Sequence, residues 1–294
     1  MSIYNKNGSI LNSAYNKSGS LLASAYDVDG INVFDNYINY DNYTASSLYT
    51  ISTQNCQGIA VYDNVLFQFR ASGTSVTDKV CLFDLSDGSV IVRDMTIKSD
   101  HGDSATFSTE FYDQNDEFPL IYVTADTTPA KIYVNRVSRS SSTLIKTLVF
   151  PQTAGYYGAG AFDWENNICY LLAYKENNYQ SDDGGANTTV VSKWDMSNLT
   201  DNGDNTYTPA FISQYERDFI YVMQGLEYHD GYVWIASGIG GAAQHIYAMN
   251  PRTGVIDHTI TMDNTEIEGL AFVSDFMITG QQGGIYKKYT FATT

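Results

Sequence analysis

Basic side chains are scarce in this chain: 16 Lys and Arg stand against 33 Asp and Glu in 294 residues, a formal net charge of −17. That balance excludes nucleic acid as a partner, because phosphates need a basic footprint. Charged residues of both signs make up only 17%, below the usual quarter of a globular domain. Cysteine is nearly missing. Cys56, Cys81 and Cys169 are odd in number and each lies in or beside an apolar run, so buried free thiols are expected rather than a disulfide framework. No apolar run approaches the length of a membrane span, and the first residues carry no basic start followed by an apolar stretch, so neither membrane insertion nor a signal peptide is expected. No stretch holds a helical apolar period for three turns. A Gly-x-Ser-x-Gly elbow, a phosphate loop and a dinucleotide fingerprint are all missing. The histidines His101, His229, His245 and His258 never fall into a metal-ligand spacing, so no transition-metal site is expected. Asp27-Val28-Asp29-Gly30 and Asp201-Asn202-Gly203-Asp204-Asn205 are similar to calcium loops but lack the remaining ligands and read as solvated turns. Calcium is therefore the one cofactor left open, and no other is implied.

What the chain does have is a repeat. Gln57-Gly58-Ile59-Ala60-Val61-Tyr62-Asp63 returns in worn form at Asp103–Phe107, Gly158–Asp163, Gln224–Asp230 and Glu268–Phe272. Taking Gly58, Asp103, Gly158, Gly225 and Gly269 as equivalent, the steps are 45, 55, 67 and 44 residues. A period of that size means stacked supersecondary units. Each copy continues with a second apolar run (Val65–Phe69, Leu120–Val123, Ile168–Leu172, Tyr232–Ala236, Phe276–Thr279) and a third, alternating one (Val80–Leu85, Ile132–Val137, Val190–Trp194, Ile246–Met249, Ile285–Tyr289). Four copies add a fourth run. Short runs rich in β-branched and aromatic residues, alternating with period two and parted by Asp87-Gly88, Asp230-Gly231 and Pro251–Gly254, read as strands and turns.

The expected fold is all-β: a five-bladed β-propeller with four-stranded blades over residues 48–294. The fifth copy ends after its third strand, and Leu48-Tyr49-Thr50-Ile51-Ser52 supplies the missing outer strand, which would otherwise leave an open edge. Residues 1–35 differ. Tyr4, Tyr15 and Tyr26 are spaced by 11, as are Gly8, Gly19 and Gly30. A Gly in every unit, preceded by Asn7, Ser18 or Asp29, spells turns between extended pieces, so this arm reads as three strand-turn units too small to bury a core alone. Stems of such repeats are often trimeric, although three units are few for one. Residues 36–47, rich in Asn, Asp and Tyr, read as a linker. The 24 Tyr of the chain suit a surface that contacts sugars or proteins, since their rings offer flat faces with a polar tip.

In a propeller the segments entering the inner strands converge at one mouth of the central channel. Those segments present Gln57, His101 with Asp103, Tyr156 with Tyr157, Gln224, and Glu268. Two carboxylates, an imidazole, two amides and two phenols in one ring would suit a small ligand or a sugar. The same groups could equally tie loop backbones together. The longest insertion, Lys175 to Thr189, is expected to rise on the same face.

The motifs Gln57–Ala60, His101–Ala105, Gln224–Glu227 and Glu268–Ala271 resemble five-bladed propellers of gut-bacterial and phage proteins. The arm, with its Tyr-Asn-Lys-x-Gly-Ser and Ala-Tyr-Asp-Val-Asp-Gly units, resembles short repeats at the front of phage tail-associated proteins. The resemblance implies a virion or otherwise extracellular protein, docked to other virion proteins through residues 1–35 and engaging a cell-surface glycan or a structural partner through the propeller face. It implies no catalytic residue. One rival expectation is a polysaccharide hydrolase or lyase using His101, Asp103 and Glu268 as acid and base. The other is a purely structural virion subunit.

Overall fold

The computed structural model describes residues 38–51, 56–70, 77–176, 187–220, 222–238, 244–274 and 276–293. The expected arm over residues 1–35 lies outside these, as does most of the 175–189 insertion. Among the described residues the chain is strands, turns and one 3₁₀ turn at Gln152–Ala154, with no α-helix. The described residues divide into two compact units, those within 45–289 and residues 38–44 with 290–293. In the smaller unit Tyr40 is buried and its ring meets Phe291 edge-on at 4.9 Å.

The larger unit repeats one pattern, an antiparallel run of strands hydrogen-bonded in sequence order. β2 (Gly58–Tyr62), β3 (Val65–Arg70), β4 (Thr77–Asp84) and β5 (Val90–Lys98) form the first sheet. β6 (His101–Phe107), β7 (Ile121–Ala125), β8 (Lys131–Val137) and β9 (Ser142–Val149) form a second run. β10 (Tyr156–Asp163), β11 (Ile168–Tyr174), β12 (Asn187–Gly203) and β13 (Thr206–Ile220) form a third. The long β12–β13 hairpin reaches back to β9, where Thr206 and Tyr207 pair in parallel with Thr147 and Leu148 and join the two runs into one eight-stranded sheet. β14 (Met223–His229), β15 (Tyr232–Ser237), β16 (His245–Met249) and β17 (Ile256–Thr261) make another four-stranded sheet. The last sheet has the order β1-β20-β19-β18, with β18 (Ile267–Val273), β19 (Phe276–Gln281), β20 (Ile285–Thr293) and β1 (Ile38–Thr50).

The first-to-second strand turns show why these pieces are hairpins. Asp63, Asp230 and Gly231 have φ of 49°, 49° and 82°, the left-handed conformation that tight two-residue hairpins demand and that Asp, Asn and Gly tolerate. The Asp201–Asn205 stretch is such a turn as well, with Asp204 and Asn205 both left-handed, and it closes β12 onto β13. Second strands are covered on both faces: every residue of β11 is buried. That is why they read as unbroken apolar runs. The core lies between adjacent sheets, with Phe67, Phe107, Phe118 and Val123 packed between the first two runs. Leu172, Val191, Leu226 and Ile235 pack together in the same way between β11–β12 and β14–β15.

The first strands form a closed ring: β2 touches β6 and β18, β6 touches β10, β10 touches β14, and β14 touches β18. The repeated glycines mark where that ring is tightest. A Cβ on Gly58 would stand 2.1 Å from the Gly102 carbonyl oxygen, and one on Gly269 would stand 2.9 Å from the Gly58 Cα. Only a hydrogen fits between backbones that close. Below this point the Ser104 hydroxyl donates to the Leu226 carbonyl at 2.8 Å, tying β6 to β14.

β1 begins earlier than its apolar residues suggest. The linker expected over residues 36–47 is strand from Ile38 onward, and its Tyr and Asn residues continue the extended run that ends beside β20. Near that end Tyr49 packs on Tyr286 at 5.3 Å and the Ile51 amide donates to the Gly284 carbonyl. All three thiols are free and buried.

Candidate functional site at the mouth of the inner strands

Six of the seven polar residues expected at the mouth, Gln57, His101, Asp103, Tyr157, Gln224 and Glu268, line one cavity of about 320 Å³. Tyr156 does not. It precedes Tyr157 on the same strand, and neighbouring side chains of a strand point to opposite faces. The sequence alone could not say which of the two faces inward, because β10 is irregular there: its register with β11 slips between Tyr156 and Ala159, and Tyr157 has φ of 50°.

That irregularity recurs. Register slips fall between His101 and Ala105 in β6, between Met223 and Gly225 in β14, and between Ile267 and Gly269 in β18. A bulge turns the side chain beside it away from the regular alternation, so four of the ring's strands use the same device at the same end. The site residues thus sit within the first residues of the strands, where loops were expected. Gln57 alone precedes its strand.

Further groups come from the far ends of the second strands, which antiparallel pairing returns to the same mouth. Thr124 lies near the end of β7 and Asp126 follows it, Tyr174 ends β11, and Gln282 follows β19. Glu266, just before β18, completes the wall. Several are held in place. Gln224 Nε2 donates to Glu266 Oε1 at 2.8 Å, Gln282 Nε2 donates to Glu266 Oε2 at 3.3 Å, and the Tyr174 hydroxyl accepts from the Met223 amide at 2.8 Å.

Four carboxyl groups, Asp103, Asp126, Glu266 and Glu268, face a single basic group, His101. His101 Nδ1 lies 3.6 Å from Asp126 Oδ2, and its Nε2 lies 3.8 Å from Asp103 Oδ1. Asp126 above all, with Asp103 and Glu268, raises the imidazole to about 9, so it is a cation at neutral pH. Burial pushes Asp103 up to about 7, with Asp126 adding to the rise and His101 opposing it. Burial also pushes Glu268 up to about 8, aided by Glu266 and Asp103. The cavity therefore holds carboxyl groups that share protons near neutrality, an imidazolium between two of them, and amides and phenols around the rim. It can donate and accept hydrogen bonds in many directions, and it disfavours anions. Among the described residues no group of three or more His, Cys, Asp or Glu side chains is arranged to hold a metal ion.

No protein-family model matches the chain, and no curated protein matches it in sequence. In three dimensions the chain is similar to glutaminyl cyclase from Myxococcus xanthus, with a TM-score of 0.51 and 11% identity over 85% of this chain and 97% of that one. It is also similar to the PQQ-bound aldose sugar dehydrogenase of Streptomyces coelicolor, with a TM-score of 0.48 and 10% identity over 86% of this chain and 99% of that one. At such identity the first likeness speaks to the fold alone, and the fold is all-β and propeller-like.

Proposed function

We propose that the chain is a five-bladed β-propeller of four-stranded blades whose mouth binds a glycan, and that it does so as a virion-associated protein of a phage or prophage. The closed ring of five inner strands, each opening an antiparallel run, supports the blade number. The observation that carries the binding reading is the convergence on one cavity of six polar side chains drawn from all five repeat copies. A volume of about 320 Å³ falls within the range of small-ligand sites. Sugar hydroxyls donate to carboxylates and accept from amides, which is the pairing this wall offers. With four carboxyl groups against one imidazolium, a neutral or amino sugar fits and a uronic acid does not. The arm over residues 1–35 would dock the protein on other virion proteins, a reading that rests on its repeats.

The test is a variant carrying Gln224→Ala and Glu268→Gln. Binding to host cells or their surface glycans falls at least about tenfold, worth about 1.4 kcal/mol, while stability changes by only about 1 kcal/mol, the scale of one lost hydrogen bond. Unchanged binding per folded molecule refutes a glycan site at the mouth. Deleting residues 1–35 should leave a folded propeller that no longer enters particles, and normal incorporation would remove the docking role.

A second reading, a polysaccharide hydrolase or lyase, draws on one observation: Asp103 and Glu268 hold protons at about 7 and 8 beside a charged His101. Incubating the protein with host wall and capsule polysaccharides and assaying for reducing ends or unsaturated products distinguishes it from binding alone.

A further inference from the structure

In so acidic a chain, a cavity lined by two cations and no carboxylate stands out. Among the described residues Arg70 pairs with Asp94, Arg136 with Asp116, Arg139 with Glu117, Lys175 with Glu216 and Lys287 with Asp263. Lys193 and Arg252 pair with no carboxylate among the described residues, and both line a second cavity of about 210 Å³ that shares no residue with the mouth. It lies where the middle of β11, β12 and β13 meets the turn between β16 and β17. Tyr170, Tyr215, Val191 and Ser213 line it as well.

The turn that carries Arg252 is firmly built. The Gly254 amide donates to the Asn250 carbonyl at 2.8 Å, and the Arg252 amide donates to Asn250 Oδ1 at 3.0 Å. Two side chains of β13 clamp it: the Tyr215 hydroxyl donates to the Pro251 carbonyl at 3.1 Å and Arg217 donates to the Thr253 carbonyl at 2.6 Å. Across the cavity, the Lys193 ammonium stands 5.9 Å from the centre of the Tyr170 ring. Asp163 is the nearby acid, acting on Tyr170 and Tyr228. Its carboxylate is buried and accepts two hydrogen bonds from Asn166, and among the described residues it forms no ion pair with Lys193 or Arg252.

We propose that this cavity is an anion site for a phosphate or sulfate ester of a small polyhydroxy molecule, held between Arg252 and Lys193. A guanidinium fork and an ammonium together match a tetrahedral oxyanion, which offers acceptors in every direction. The cavity has room for more than the oxyanion: at about 30 Å³ per water, it equals roughly seven waters. The rings of Tyr170 and Tyr215 wall the remaining space, and aromatic faces suit the apolar faces of a sugar ring. The site takes the charge that the mouth repels.

Calorimetric titration of the full chain at fixed ionic strength tests this, with glucose 6-phosphate, galactose 6-sulfate, glucose and glucuronate as probes. The phosphate and sulfate esters bind saturably, and glucose and glucuronate bind at least tenfold more weakly. Arg252→Gln alone, a change in an exposed turn, weakens the esters at least tenfold, and adding Lys193→Gln abolishes binding. The control pair Arg93→Gln and Lys146→Gln, equal in charge change and remote from the cavity, leaves ester binding unaltered. No saturable ester binding, glucuronate binding as tightly as the esters, or an equal loss in the control pair would each overturn the proposal.

Discussion

Glu227 offers the sharpest test of how this fold handles buried charge. It sits on β14 opposite Trp234, its Oε2 is sealed from solvent with no partner among the described residues, and its only attributed hydrogen bond comes from the Phe272 amide. Burial pushes it from an ordinary 4.5 up to about 8. A carboxyl whose folded value is raised stabilises the fold fully below its unfolded value and loses that contribution as pH climbs toward the folded one. Glu227 therefore erodes stability between about pH 4.5 and pH 8. At 1.36 kcal/mol per unit the full shift corresponds to a ceiling of about 5 kcal/mol. The residue as a whole is half-buried, so solvent screening and local rearrangement bring the measurable effect to about 2 kcal/mol. Gln keeps the shape, accepts the same amide hydrogen bond and cannot ionise. Glu227→Gln should match the parent at pH 4.5 and exceed it by about 2 kcal/mol at pH 8.5. Denaturant unfolding at four pH values reads the difference directly, and subtracting the parent curve removes the parallel slopes of Asp103, Glu268 and His101. A difference that does not change with pH, or a variant less stable at pH 8.5, would refute the reasoning.

Gly58→Ala should lower stability by at least about 3 kcal/mol, because the added methyl meets a backbone carbonyl that cannot step aside. Gly283→Ala has open space around it and only a φ of 81° to contend with, so thermal or denaturant unfolding should show a loss of about 1–2 kcal/mol. The native protein should not react with a thiol reagent at pH 8, since Cys56 and Cys169 are buried and held far above the ordinary thiol range. Three thiols should appear on denaturation, and rapid labelling of the folded chain would contradict the packing around them.

The mouth and the second cavity differ in how far they could be foreseen. Gln57, Gln224 and Glu268 directly precede the repeated glycines, and His101 and Asp103 open the copy where Asp103 takes the glycine's place, so finding the repeat was enough to group them. Asp126, Tyr174 and Gln282 carry no such mark. They reach the mouth because antiparallel pairing returns the end of each second strand to the start of the first. Lys193 and Arg252 are 59 positions apart in sequence, and only the packing of one sheet against the next turn brings them to one cavity.

The sequence by itself determined the strand grammar, the repeat and the pairing of an early strand with the last sheet, because period-two alternation and turn residues are local properties. The glycines of the repeat were legible too, although only the packing of the first strands shows the reason at Gly58, where a Cβ would stand 2.1 Å from the Gly102 carbonyl oxygen. Tertiary structure decided which of Tyr156 and Tyr157 faces the cavity, where β1 begins, and which carboxyl groups keep their protons. Those outcomes depend on bulges, on pairing between strands far apart in the chain, and on the water that packing removes around each charge, and none of these is written in the order of neighbouring residues.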